Sequence, residues 1–288
     1  MRLVALGLLM AMTLPLAAQT QTALPAGMSF VAQEASGAWR LYWVDGRGSP
    51  KPITTALEPR QACVATDGSK VVYAAADGTL RTLSPASGTE TALARPTPQR
   101  SYTQPCLTAD GRDVVAVEMA DGKSIETDIL RFSAAPEPAR IARQPGAQHD
   151  PFLHRGRWLV YASVGCSEGC EKLLVEIWAR DLVAAEARQL TLLNALSQGP
   201  VTDGARVVFS SNATGGFQLW QVGFDGSGLR RLTDGKQQAT QPAICGGEVY
   251  FVSAGPGGSG LARLGAGNSV TELPLPGLKA IRSLRCVS

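Results

Sequence analysis

The residues whose types could support acid–base, nucleophilic or metal chemistry are few: two histidines, His149 and His154, with Asp150 beside the first, and six cysteines, Cys63, Cys106, Cys166, Cys170, Cys245 and Cys286. His149 followed by Asp150 is the kind of pair a hydrolytic triad uses, but no Gly-x-Ser-x-Gly elbow is present to supply its nucleophile. Five residues apart on an extended segment, the two imidazoles would project to opposite faces, so a shared metal is not expected. The cysteines lack zinc-like spacing with histidine close by. The run Gly-Pro-Gly-Gly-Ser-Gly at 255–260 has no Lys-Ser/Thr ending and reads as a hairpin rather than a phosphate cradle. Asn212-Ala-Thr214 matches a glycosylation acceptor and reads as a turn, and the Asp-Gly pairs do not form the alternating acidic series of a calcium loop. Neither metal nor cofactor is therefore expected, and the chain is not expected to be an enzyme.

The bulk of the sequence must therefore be scaffold. With 288 residues, 44% of them apolar, the chain can bury a large core, and 31 Gly with 18 Pro leave little room for long helices. A formal charge of +3 provides no extended basic field, which argues against nucleic acid as a partner. Residues 1–18 place Arg2 before an apolar run that ends in small residues, the layout of a cleavable secretory signal. Residues 19–26 read as a short linker and 27–288 as the folded unit, with no stable membrane insertion after cleavage. Export, most simply to a bacterial periplasm, makes the even cysteine count a disulfide framework.

A turn followed by an apolar run recurs at Gly68, Gly111, Gly156, Gly204 and Gly246, each about 42 to 48 residues from the last, and Gly27 opens a sixth copy. Each copy carries four strand-like runs, the third including Trp43, Trp178 or Trp220 and the fourth ending in a polar turn such as Arg230-Arg231-Leu232-Thr233. The tryptophans, Trp39 and Trp158 included, read as packing between units. The first copy lacks a run before Gly27, and residues 281–287 supply a spare one. The fold expected is all-β: a six-bladed β-propeller of four-stranded antiparallel blades, its ring closed by a C-terminal inner strand that completes the first blade. Cys63 and Cys106, each five residues before its turn glycine, then lie at equal height on neighbouring inner strands, while Cys245 and Cys286 fall on the inner strands of the last and first blades. These are the preferred pairings, with Cys166–Cys170 closing a short loop and Cys63–Cys286 an alternative between neighbours.

Residues 203–233, Asp203-Gly204 through Leu232-Thr233, resemble the WD-like repeat of the TolB propeller family, and Gln104-Pro105 and Asp150-Pro151 keep its frame in weaker form. The resemblance covers about 27–288 as repeats, the propeller part alone without the family's N-terminal α/β domain. It implies a periplasmic, non-catalytic, protein-binding propeller. A monomer that binds an envelope protein or peptide is expected, with Gln104, His149, Asp150 and Gln241 as binding candidates at the mouth of the central channel. The alternative is a small-ligand-binding or metal-assisted, lactonase-like hydrolase with carboxylates holding a cation in that channel.

Overall fold

A computed structural model describes residues 23–120, 126–166 and 173–287. The described residues form 24 strands and one short 3-10 turn, Ala266–Asn268. Blade one takes β1 (Met28–Glu34), β2 (Trp39–Val44) and β3 (Pro50–Ile53). Blade two is β4 (Pro59–Val64), β5 (Val71–Ala75), β6 (Leu80–Ser84) and β7 (Thr89–Ala94). Blade three is β8 (Arg100–Leu107), β9 (Val114–Ala120), β10 (Thr127–Phe132) and β11 (Ala139–Ala142). Blade four is β12 (Gln148–His154), β13 (Trp158–Cys166), β14 (Leu173–Asp181) and β15 (Glu186–Gln189). Blade five is β16 (Ser197–Thr202), β17 (Val207–Ser211), β18 (Gln218–Val222) and β19 (Arg230–Arg231). Blade six is β20 (Gln238–Cys245), β21 (Glu248–Gly255), β22 (Gly258–Leu264) and β23 (Val270–Leu273), and β24 (Leu278–Cys286) returns to blade one.

All six sheets are four-stranded and antiparallel, and the first runs β24-β1-β2-β3. The expected closure is therefore present, with Met28 opposite Cys286 and Ala32 opposite Ile281. Second strands such as β5 and β17 are buried at every residue because neighbouring blades cover both of their faces. That is why they read as unbroken apolar runs, Val-Val-Tyr and Val-Val-Phe, rather than as alternation. Fourth strands are short and polar, ending in the exposed pair Arg230 and Arg231 of β19, which discourages pairing between molecules along the outer edges.

The turns follow from local chemistry. Asp67, Asp77, Asp110, Asp203 and Asp225 each accept the N–H two residues ahead, at 2.9–3.1 Å, and the glycine after each takes positive φ. Gly68 serves a second purpose, since a Cβ there would lie 2.7 Å from the Trp43 ring of blade one. Trp158 of blade four meets Phe224 of blade five at 4.6 Å between centroids, so these tryptophans do pack between blades. The Leu-Thr that follows two fourth strands has a role of its own. The hydroxyl oxygens of Thr191 and Thr233 accept the N–H groups of Ile177 and Leu219 at 2.9 Å and donate to Glu176 and Gln218.

Disulfides join Cys63 to Cys106 and Cys245 to Cys286, with Cα separations of 4.9 and 5.6 Å, linking blade two to three and blade six to one. Cys170, and so the Cys166–Cys170 bond, and the 1–18 segment lie outside the described residues. Of the 19–26 stretch, residues 23–26 are described. Leu24 is buried in the cluster around Cys286 and donates its N–H to the Gly48 carbonyl at 2.9 Å, so this part of the linker packs on blade one.

Candidate functional site

The inner strand of each blade pairs on one side only, and its other edge faces the propeller axis with backbone N–H groups that have no ladder partner. The inner strands break register along their length, as between Thr103 and Cys106, His149 and Phe152, Gln198 and Val201, and Thr240 and Ala243. At the break Gln104, Asp150, Gln241 and Ser283 hold φ of 51°, 51°, 49° and 54°, and Gly199 holds 60°. A left-handed conformation costs a non-glycine residue about 1–2 kcal/mol, so something must hold it. The neighbouring blade does. Gln61 Oε1 accepts the Gln104 N–H at 2.8 Å, Gln104 Oε1 the Asp150 N–H at 2.7 Å, and Asp150 Oδ2 the Gly199 N–H at 2.9 Å. Gln241 Oε1 accepts the Ser283 N–H at 2.6 Å, and Ser283 Oγ the Ala62 N–H at 3.0 Å. Gly199 has no side chain to offer Gln241, so this circuit of blade-to-blade bonds opens at that one junction.

Three of the four binding candidates, Gln104, Asp150 and Gln241, thus belong to the circuit. Asp150 is engaged at both oxygens, Oδ1 accepting from Gln104 Nε2 at 2.7 Å. Asp150→Ala leaves two donors without an acceptor and removes the short polar side chain that eases the left-handed conformation, and is expected to cost about 3 kcal/mol in urea denaturation. An unchanged midpoint would show that the circuit does not bear on stability.

Around the circuit lies an axial cavity of about 560 Å³ to which all six blades contribute. Asp150 and Gln241 line it, with Gln61, Thr103, Gln198, Gly199 and Ser283. Its charged wall is Arg60 and Glu58 at the start of blade two and Arg282 and Arg285 on the closing strand β24. With Asp150 these make three cations against two carboxylates. Arg282 stacks on Trp39, its guanidinium carbon 3.9 Å from the ring centroid, donates to the Pro59 carbonyl at 3.2 Å and lies 3.5 Å from Glu58. Burial lowers its pKa, opposed by the Glu58 charge. Arg285 donates to the neighbouring Leu284 carbonyl at 3.2 Å, and its buried Nε finds no hydrogen-bond partner among the described residues. Burial lowers its pKa as well, with the charge of Asp150 acting the other way.

The two histidines are separated by distance rather than by face. The bulge between His149 and Phe152 resets the pleat, so His149 lies opposite Ala162 and His154 opposite Trp158, partner positions an even number of residues apart. Four partner residues correspond to roughly 13 Å along the strand. Among the described residues no group of three or more His, Cys, Asp or Glu is placed to hold a metal. His149 is half-buried, one residue before Asp150, and His154 is buried against the blade-five turn, where a Cβ on Gly204 would lie 3.0 Å from its Nε2. Burial, chiefly, and then the Arg155 charge hold the His154 pKa below its ordinary value. The unfolded chain thus binds this proton more readily than the native one, and stability falls as pH drops below the unfolded histidine value of about 6.5. Denaturation midpoints at pH 7.5 and pH 5 are expected to differ by less in His154→Gln than in the parent; an equal difference would assign the dependence to other groups.

The arginines were not among the sequence candidates. Their signal was available, since residues 281–287 read as an inner strand and Arg282 and Arg285 flank Ser283, the counterpart of Gln104 and Gln241. What hid the correspondence is that Ser283 is followed by Leu284, where Gln104, Asp150, Gly199 and Gln241 are followed by proline.

The fold defines a six-bladed β-propeller of the kind seen in TolB. Structures similar to it are an Agrobacterium tumefaciens protein described as a TolB (TM-score 0.62, 19% identity, 88% of this chain and 90% of that one) and TolB from Acinetobacter baumannii (0.69, 14%, 92% and 68%). A puromycin-hydrolysing peptidase from Mycobacterium tuberculosis has the same fold over 91% of this chain and 49% of its own (0.61, 16%). At these identities the likeness is one of fold, and the fold is shared by TolB and by enzymes. No family model matches the sequence. An uncharacterised protein of Agrobacterium fabrum is 32% identical over 89 residues, a match that spans 30% of this chain and 30% of that relative's length.

Proposed function

We propose that this chain is an exported, non-catalytic, monomeric binding module that receives part of a protein or peptide partner, an envelope protein, in its axial cavity. The observation that carries this reading is the cavity itself: six blades converge on one polar chamber whose wall holds more cationic donors than carboxylates. The carboxylate on its wall that a hydrolytic site would use, Asp150, is a structural tie engaged at both oxygens. Two disulfides support folding in an oxidising compartment, in keeping with the signal-like residues 1–18 and a periplasmic location.

Crosslinking of the tagged protein in its own cells, followed by mass spectrometry, tests the reading. One envelope protein is expected to be recovered repeatedly with the parent and depleted in the Arg60→Gln, Arg282→Gln double variant. Empty capture, or a divalent metal bound at near-unit stoichiometry in the purified protein, would turn the assignment to a small-ligand or metal-assisted enzyme.

A further inference from the structure

Arg285 is unusual among the charged groups of this protein. Most of the others are exposed or have a carboxylate close by, as Arg131 has Asp113 and Arg157 has Asp181. Arg285 lines the cavity with its Nε buried and without a hydrogen-bond partner among the described residues. The carboxylate whose charge it feels, Asp150, accepts from Gln104 Nε2 and the Gly199 N–H instead. Burying a cation without a matched acceptor is costly, and a fold that keeps one in a cavity wall retains a ready-made receptor for an anion.

We propose that the axial cavity is an oxyanion receptor: Arg285 supplies the deep contact, Arg282 and Arg60 flank it, and the ligand is a carboxylate of an acidic peptide segment or an inorganic oxyanion of the same chemistry. Guanidinium donors match a carboxylate or phosphate fork. The stacking of Arg282 on Trp39 and its bond to the Pro59 carbonyl hold it in place before a ligand arrives. Arg282 and Arg285 both lie on β24, the strand that closes the ring, and Arg60 on β4, so an anion bound by all three bridges the closing strand to blade two and stabilises closure. This inference rests on the binding-module reading and specifies its ligand chemistry.

The test is calorimetric titration and thermal denaturation of the full mature chain with three probes: acetyl-triglutamate amide, acetyl-triglutamine amide and inorganic phosphate. Triglutamate is expected to bind the parent and raise its Tm, triglutamine to do neither, and Arg285→Gln to weaken triglutamate binding at least about tenfold, whereas Arg47→Gln, on an exposed turn of blade one, leaves it unchanged. Phosphate binding with the same Arg285 dependence and no triglutamate binding would support the receptor and assign it to free oxyanions. If Arg285→Gln does not fold, competition between triglutamate and phosphate on the parent replaces it, and simultaneous non-competing binding overturns the proposal. So does the absence of binding by either anion, or equal binding of triglutamine. A partner captured in cells equally well by Arg285→Gln would remove the oxyanion assignment and leave the binding module standing. Arg285-dependent triglutamate binding with no captured protein would do the reverse.

Discussion

Replacing Cys245 and Cys286 together by alanine is expected to lower the stability of the folded chain by about 4 kcal/mol, read as a reduced denaturant midpoint under non-reducing conditions. The bond spans 41 residues, and on the chain-entropy estimate a cross-link of that length restricts the unfolded ensemble by this amount. Alanine is the appropriate replacement because both cysteines lie in the apolar cluster with Met28, Phe30, Ile281 and Leu284, where a serine hydroxyl would add its own desolvation cost. Removing Cys63 and Cys106, separated by 43 residues, is expected to cost a similar amount, since the entropic effect depends only weakly on loop length. The two losses differ in where they act. Cys245–Cys286 ties β24 to blade six, and without it hydrogen exchange is expected to accelerate in β24 and β1 ahead of the other blades. Uniform acceleration around the ring would show that closure does not depend on that bond, and an unchanged midpoint would sink the stability estimate.

Gly146→Ala is expected to be as damaging, about 4 kcal/mol. Gly146 sits in the turn that leads into β12 with φ of +88°, and an added Cβ would lie 2.3 Å from the Val164 carbonyl oxygen of β13. Backbone on both sides leaves little freedom to relax. The Val164 N–H donates to the Ala147 carbonyl at 2.7 Å, and buried Gln148 donates from Nε2 to the Gly146 and Gln144 carbonyls at 2.9 and 3.1 Å. The Gln148 N–H also donates to Thr127 Oγ1 of blade three at 2.7 Å, so displacing the turn disturbs the contact between blades three and four. Gly156→Ala is the matched control: its φ is +66°, but no atom lies within 4 Å of an added Cβ, so it is expected to cost only the left-handed strain of about 1–2 kcal/mol. Equal losses at the two sites would show that the close approach at Val164 is not a constraint.

Much of the scaffold was legible because it is periodic. Glycines 42 to 48 residues apart, apolar second strands covered on both faces and Asp-Gly turns all recur within single units, and local chemistry repeated six times survives poor wording in any one copy. Ring closure followed from the same count, and so did the Cys63–Cys106 pairing, since equal offsets from the turn glycine place these two at equal heights, whereas Cys245–Cys286 was preferred because both fall on the inner strands of adjoining blades. The site was legible only in part. Gln104, Asp150 and Gln241 were expected as binding residues at the channel mouth, but a one-residue bulge with φ near 50° decides what their side chains do, and composition and spacing do not encode it.

The sequence by itself determined the repeat, the number of blades and the strand that closes the ring, because these depend on short-range patterns that each unit carries. Only the tertiary structure decided which side chains hold the blades together and which face the cavity. Ser283 reaches Ala62 across 221 residues of chain because closing a ring brings the last strand against the second blade, and Arg285 comes to line the same axial cavity as Asp150 of blade four. No local propensity records such a meeting; it arises from the geometry of the closed circle.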